Sequence, residues 1–118
     1  MFAADRGTPE LVDRYDTLSA PVLELLEKLV IVCQEAGVAL SICGEAAGRP
    51  LDALAFAALG INCLSMSGNA ILPVKAVLVE ADLNALRPML RELRRAGAAG
   101  CSIREPLAAW AREHNLAV

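Results

Sequence analysis

Aromatic residues are nearly missing from this chain: Phe, Trp and Tyr together make up 3% of its 118 residues. Its interior therefore has to be Leu, Val, Ile and a great deal of Ala. No apolar run approaches the ~18 residues a membrane-crossing helix needs. The amino-terminal Met-Phe-Ala-Ala-Asp-Arg has neither the basic region nor the apolar stretch of a secretory leader. Positive charge is not in excess: a net charge of −3 leaves no electrostatic footprint for nucleic acid. The cysteines, at 33, 43, 63 and 101, form no CxxC pair and no metal-ligand spacing with the single histidine, His114. Reduced thiols in the cytoplasm, with neither nucleic acid nor membrane as partner, are the expectation.

What is present alternates short apolar runs with helical patterns. The chain fits one domain with a modest core. Phe2 to Arg6 reads as the end of a strand, and Gly7-Thr8-Pro9 as a turn. Ser19 suits an N-cap ahead of Ala20-Pro21. Val22, Leu25, Leu26, Leu29 and Cys33 then recur at helical spacing until Gly37. Val38 to Cys43 reads as a buried strand. Pro50 opens a second helix with Leu51, Leu54, Ala55, Ala58 and Leu59 on one face, stopped by Gly60. Ile61 to Ser67 is a second, weaker strand, and Ser67-Gly68-Asn69 a turn. Ile71, Val74, Val77 and Leu78 define a helix ending near Asp82. Leu83, Leu86, Leu90 and Leu93 suit another, which Pro88 should kink or delay. After a Gly97–Gly100 linker, Ser102 to Glu105 has capping-box spacing. Leu107, Trp110, Ala111 and His114 would share a face of the last helix.

Strands alternating with helices imply parallel pairing in an α/β fold. Two strands and a clipped third make a poor sheet, since parallel sheets need both faces covered. The expectation is therefore part of a larger, helix-rich α/β object. Its most informative stretch is Ser41 to Pro50, where a strand delivers Cys43 into a small-residue loop, Gly44-Glu45-Ala46-Ala47-Gly48, before a helix. Read alone, Cys43 is most simply a structural thiol and Arg6 a loop-end arginine paired with Asp5 or Glu10.

Six segments in register change that reading. They are Ala4-Asp5-Arg6, Asp13 to Leu18, Pro21-Val22-Leu23, Cys43-Gly44-Glu45 with Ala47-Gly48, Leu64 to Ser67, and Ile71 to Lys75. Together they resemble phosphoenolpyruvate-protein phosphotransferases, enzyme I of the phosphotransferase system, most closely its nitrogen-related type. The resemblance covers roughly Phe2 to Asp82. It implies the C-terminal portion of a (β/α)₈ TIM-type barrel, which at about 250 residues this chain is too short to close alone. Residues 1–82 would be the C-terminal fragment of the barrel domain that binds phosphoenolpyruvate (PEP), and 83–118 a helical extension of it.

In that family the phosphoryl group of PEP passes to a protein histidine and then to a phosphocarrier protein. The resemblance implies that Cys43 protonates the pyruvate enolate and that Arg6 contacts substrate, with Gly44 and Glu45 as neighbours shaping the loop. Both roles suit the residue types. A thiol keeps its proton at neutral pH yet can release it to carbon. A guanidinium offers forked donors to carboxylate or phosphate and cannot lose its charge.

The resemblance also implies Mg²⁺ in the parent enzyme, but the metal carboxylates, the other substrate arginines and the phosphorylated histidine have no counterpart here. Ala46, Arg49 and Cys33 are further departures. An isolated chain is accordingly expected to be inactive, and to form a homo-oligomer through open strand edges. The alternatives are a fragment of a pyruvate phosphate dikinase or PEP synthase, or a non-catalytic regulatory or oligomerisation module.

Overall fold

A computed structural model describes residues 16–96 and 102–118. Five helices and two short strands follow in the order α1 (Ala20–Glu35), β1 (Ser41–Cys43), a 3₁₀ turn (Glu45–Gly48), α2 (Pro50–Leu59), β2 (Cys63–Ser65), α3 (Gly68–Glu80), α4 (Leu83–Ala96) and α5 (Arg104–Glu113). The result is a helix-rich α/β fold. The expected strand at Phe2 to Arg6, the turn at Gly7 to Pro9 and the linker at 97–100 lie outside the described residues, as do Arg6 and Cys101.

The helix boundaries follow local chemistry. Ser19 occupies the N-cap of α1, its carbonyl accepting the Val22 and Leu23 N–H groups at 3.1 Å each. Pro50 stands at the first position of α2, and Gly60 closes that helix at φ +103°, a left-handed conformation that costs glycine little. Two boundaries differ from expectation. Ser67 caps α3, so Gly68 and Asn69 are helical rather than a turn. Pro88 does not delay α4, which starts at Leu83 because the Asp82 carboxylate accepts the Asn84 and Ala85 N–H groups at 2.9 and 3.2 Å.

α2 is the centre of the molecule, with α1, α3, α4 and α5 packed around it. Every residue from Asp52 to Ala58 is buried, so α2 has no solvent face, against the single apolar face expected. Phe56 and Leu54 meet Leu23 from α1, Val77 from α3, Leu86 and Leu90 from α4, and Leu107 from α5 in one core. The buried stripe of α1 runs through Ala20, Leu23 and Val30 rather than Leu25 and Leu29, and Cys33 is only half-buried. On α3, Val74 and Val77 are buried but Ile71 is exposed.

The strands pair in parallel, Ser41 opposite Cys63, Ile42 opposite Leu64 and Cys43 opposite Ser65. Each is half the expected length. The expectation of a buried strand is also corrected: Ile42 and Leu64 lean on the core, while Ser41, Cys43, Cys63 and Ser65 form an exposed face. Alternation along a strand puts neighbours on opposite faces, and among the described residues nothing covers the second face.

Candidate functional site

The two strands end side by side. Cys43 closes β1 and Ser65 closes β2, and the register sets them opposite one another. Cys43 is exposed. Past it the chain turns through Gly44 at φ +104°, a conformation that L side chains rarely adopt. A Cβ at Gly44 would touch nothing, so backbone geometry rather than space calls for glycine. The 3₁₀ turn that follows places Glu45 at its start and Gly48 at its end. Gly48 sits where a Cβ would come within 3.1 Å of the Ala70 Cβ, so the loop lies close on the beginning of α3.

Between these parts lies a cleft of about 320 Å³ lined by Gly44, Glu45, Gly48, Ser65, Met66 and Ser67. It opens at the carboxyl ends of parallel strands, where α/β folds place ligands. The structure thus brings Cys43, Gly44 and Glu45 to one locality. Arg6, the expected substrate ligand, lies outside the described residues. His114, expected to share a face of the last helix with Leu107, Trp110 and Ala111, lies exposed at the C-terminal end of α5, its ring stacked on Trp110 with centroids 4.0 Å apart.

A second polar assembly joins residues far apart in the sequence. Asp52 is 0% exposed inside the apolar α2, and Arg104 of α5 reaches it with Nη1 to Oδ2 at 2.9 Å and Nη2 to Oδ1 at 3.2 Å. Thr17 Oγ1 donates to the same carboxylate. Arg104 Nη2 also meets Asp16 Oδ1 at 2.8 Å, and Asp16 accepts from the Ser102 hydroxyl and the Leu18 N–H. Burial opposes charge on Asp16, but the Ser102, Leu18 and Arg104 hydrogen bonds outweigh it and hold the carboxyl below its ordinary value. The hydrogen bond to Asp52 raises the Arg104 pKa despite burial, with Asp16 adding to it.

This network ties the turn before α1 to α2 and α5. It also replaces the expected capping box: Ser102 accepts the Arg104 N–H at 3.1 Å, but Glu105 turns away to Arg112 at 2.8 Å. The available signal was a single carboxylate in an apolar helix, since a buried Asp needs a cation or several donors.

Strand-end geometry and the cysteine loop define an α/β domain with a cleft at the carboxyl ends of its parallel strands. A family model described as the PEP-binding domain of PEP-utilising enzymes matches residues 1–83, and the chain belongs to that family. It is similar to the phosphoenolpyruvate-protein phosphotransferase of Borreliella burgdorferi, 30% identical over 93 residues, which cover 79% of this chain and 16% of that protein. It is likewise similar to a probable phosphoenolpyruvate synthase of Archaeoglobus fulgidus, 30% identical over 92 residues (78% of this chain, 12% of the relative). The multiphosphoryl transfer protein 1 of Escherichia coli matches at 30% over 92 residues, 78% of this chain and 11% of that protein. The chain therefore spans less than a fifth of the length of these relatives. No solved structure matches it significantly. No helix among the described residues is long and apolar enough to cross a membrane.

Proposed function

We propose that this chain is the C-terminal portion of the PEP-binding (β/α)₈ barrel of a phosphoenolpyruvate-protein phosphotransferase of the nitrogen-related type. In this reading residues 1–82 belong to the barrel proper and 83–118 extend it. The observation that carries the proposal is Cys43 itself, exposed at the end of β1, with Gly44 at φ +104° directly after it leading into the cleft that Gly44 and Glu45 line.

Loss of the phosphoryl group from PEP leaves the enolate of pyruvate. Its methylene carbon takes the proton from the Cys43 Sγ–H, the new C–H bond forming as S–H breaks, and a thiolate remains. Arg6 holds the anionic end of the three-carbon acid through forked hydrogen bonds. Gly44 and Glu45 set the path of the loop carrying the thiol. Donation to one face of a planar anion requires a donor fixed over that face, and a strand end provides the rigid base.

Mg²⁺ and a phosphocarrier protein belong to the parent enzyme in this proposal. Among the described residues no three His, Cys, Asp or Glu side chains gather into a metal site, so these residues do not fit the ion. The isolated chain is then unable to turn over PEP.

A second reading rests on the Archaeoglobus relative, whose similarity is as high as that of the phosphotransferases. It makes the parent a PEP synthase or dikinase, with the same proton donor but another phosphoryl acceptor. The segment Asp13 to Leu18 favours the phosphotransferase.

The test is protection of the thiol. The full chain is alkylated with iodoacetamide in the presence and absence of PEP, and Cys43 and Cys63 are followed separately by peptide mass. PEP should slow alkylation at Cys43 and not at Cys63, and Arg6→Ala should remove the protection. Equal rates at Cys43 with and without PEP would overturn the assignment and favour a non-catalytic module.

A further inference from the structure

Away from the strand ends, one cavity combines surplus positive charge with a buried donor that has nothing to donate to. It lies between α1, the end of α2 and α4, with a volume of about 290 Å³, and its walls include Glu27, Gln34, Gly60, Arg87, Arg91 and Arg94. Gly60 precedes β2 whereas Ser65 ends it, so this cavity and the Cys43 cleft lie at opposite ends of the sheet.

The three arginines stand at positions i, i+4 and i+7 of α4, one stripe of the helix. The Arg94 side chain is only 9% exposed. Its Nη1 pairs with Glu27 at 2.8 Å and reaches the Leu23 carbonyl at 3.5 Å, but its Nε has no hydrogen-bond partner. A buried N–H with no acceptor costs free energy comparable to a lost hydrogen bond. Arg87 is tethered through Nε to the Ala58 carbonyl at 3.2 Å. Arg91 is exposed and makes no ion pair among the described residues.

Of the three lining guanidiniums only that of Arg94 pairs with Glu27, and the Glu27 carboxyl is held below its ordinary value by the Arg94 hydrogen bond against the opposing effect of burial, with the charges of Arg94, Arg91 and Arg95 adding to it. Gly60 contributes by what it omits: a Cβ there would press to 3.3 Å from Val30 and 3.6 Å from the Gln34 amide nitrogen.

We propose that this cavity binds a small, multiply charged oxyanion, a phosphate ester or a polycarboxylate. Its oxygens would be gripped by the Arg87, Arg91 and Arg94 guanidiniums with the Gln34 amide alongside. Glu27 alone leaves two of the three positive charges uncompensated, and forked guanidinium donors match such oxygens bidentately.

Titration calorimetry on the full chain at low ionic strength, with pyrophosphate in one arm and citrate in the other, tests this. Saturable one-to-one binding in the millimolar range or tighter is expected. Binding of pyrophosphate alone identifies the ligand class as phosphates, and of citrate alone as carboxylates. Equal binding makes charge the criterion. Arg91→Ala, at an exposed position, should weaken binding about 10-fold, and Glu27→Gln should tighten it. Arg6→Ala should leave it unchanged, which separates this site from the Cys43 cleft. Absence of saturation by both probes overturns the proposal, as does unaltered binding by Arg91→Ala or loss of binding in Arg6→Ala.

Discussion

Asp52 and Arg104 illustrate how one buried charge decides the arrangement of three segments. The carboxylate is wholly buried, so removing its cation leaves an uncompensated charge in the core. Arg104→Ala should lower stability by about 3 kcal/mol, read from urea unfolding. The same variant has a pH signature. The folded pKa of Asp16 lies below its ordinary value of 3.8, so its stabilising contribution is present above that value and is lost as pH falls through the depressed one. In Arg104→Ala that depression shrinks, and stability should fall less between about pH 5 and pH 2. Parallel pH profiles for the two proteins would show that Arg104 does not act on Asp16. A lone carboxylate in an apolar helix signals that Asp52 needs a partner, but nothing nearby in the sequence says which residue it is. An acidic residue in a first helical turn ordinarily suits the helix dipole, and its partner lies 52 positions away.

Among the elements, α2 carries the largest energetic weight because all sides of it are covered. Phe56→Ala should cost about 4 kcal/mol, whereas Leu72→Ala on α3, where the side chain is 76% exposed, should change stability by less than about 0.5 kcal/mol. Chemical denaturation of both variants checks the contrast, and comparable losses would contradict it. Helix ends were the most legible feature of the chain. Pro50, Gly37, Gly60 and Ser19 act through backbone conformation, which is local and therefore written in neighbouring residues. Strand extents were not legible. Val38 to Cys43 is apolar but for Ser41, yet only Ser41 to Cys43 finds a partner strand, and pairing is a property of two distant segments. Pro88 does not delay α4 for a related reason, since Leu86 and Leu90 in the core and the Arg87 bond to the Ala58 carbonyl hold the helix from distant segments.

For the whole molecule the open features concentrate on the sheet and its flanks. Among the described residues β1 and β2 pair only with each other. Val38, Val32, Ile71 and Val79 expose half or more of their surface. Unpaired strand edges and exposed apolar side chains recruit further chain, so we expect self-association. Sedimentation should show the average mass rising with concentration, and Val38→Lys should suppress the rise by placing charge beside the edge. A monomer at all concentrations would argue that these surfaces are compatible with water as they stand.

The sequence by itself determined most of the local events: the starts of α1 and α2 and their glycine stops, the small-residue loop after Cys43, and membership of the PEP-utilising family through motifs kept in order. These depend on backbone conformation and on residues close in the chain. Only the tertiary structure decided which faces are buried, that α2 is enclosed on every side, that Asp52 meets Arg104, and that three arginines share a cavity with one glutamate. Burial and charge pairing are set by contacts between distant segments, and periodicity along one segment carries no record of its partner.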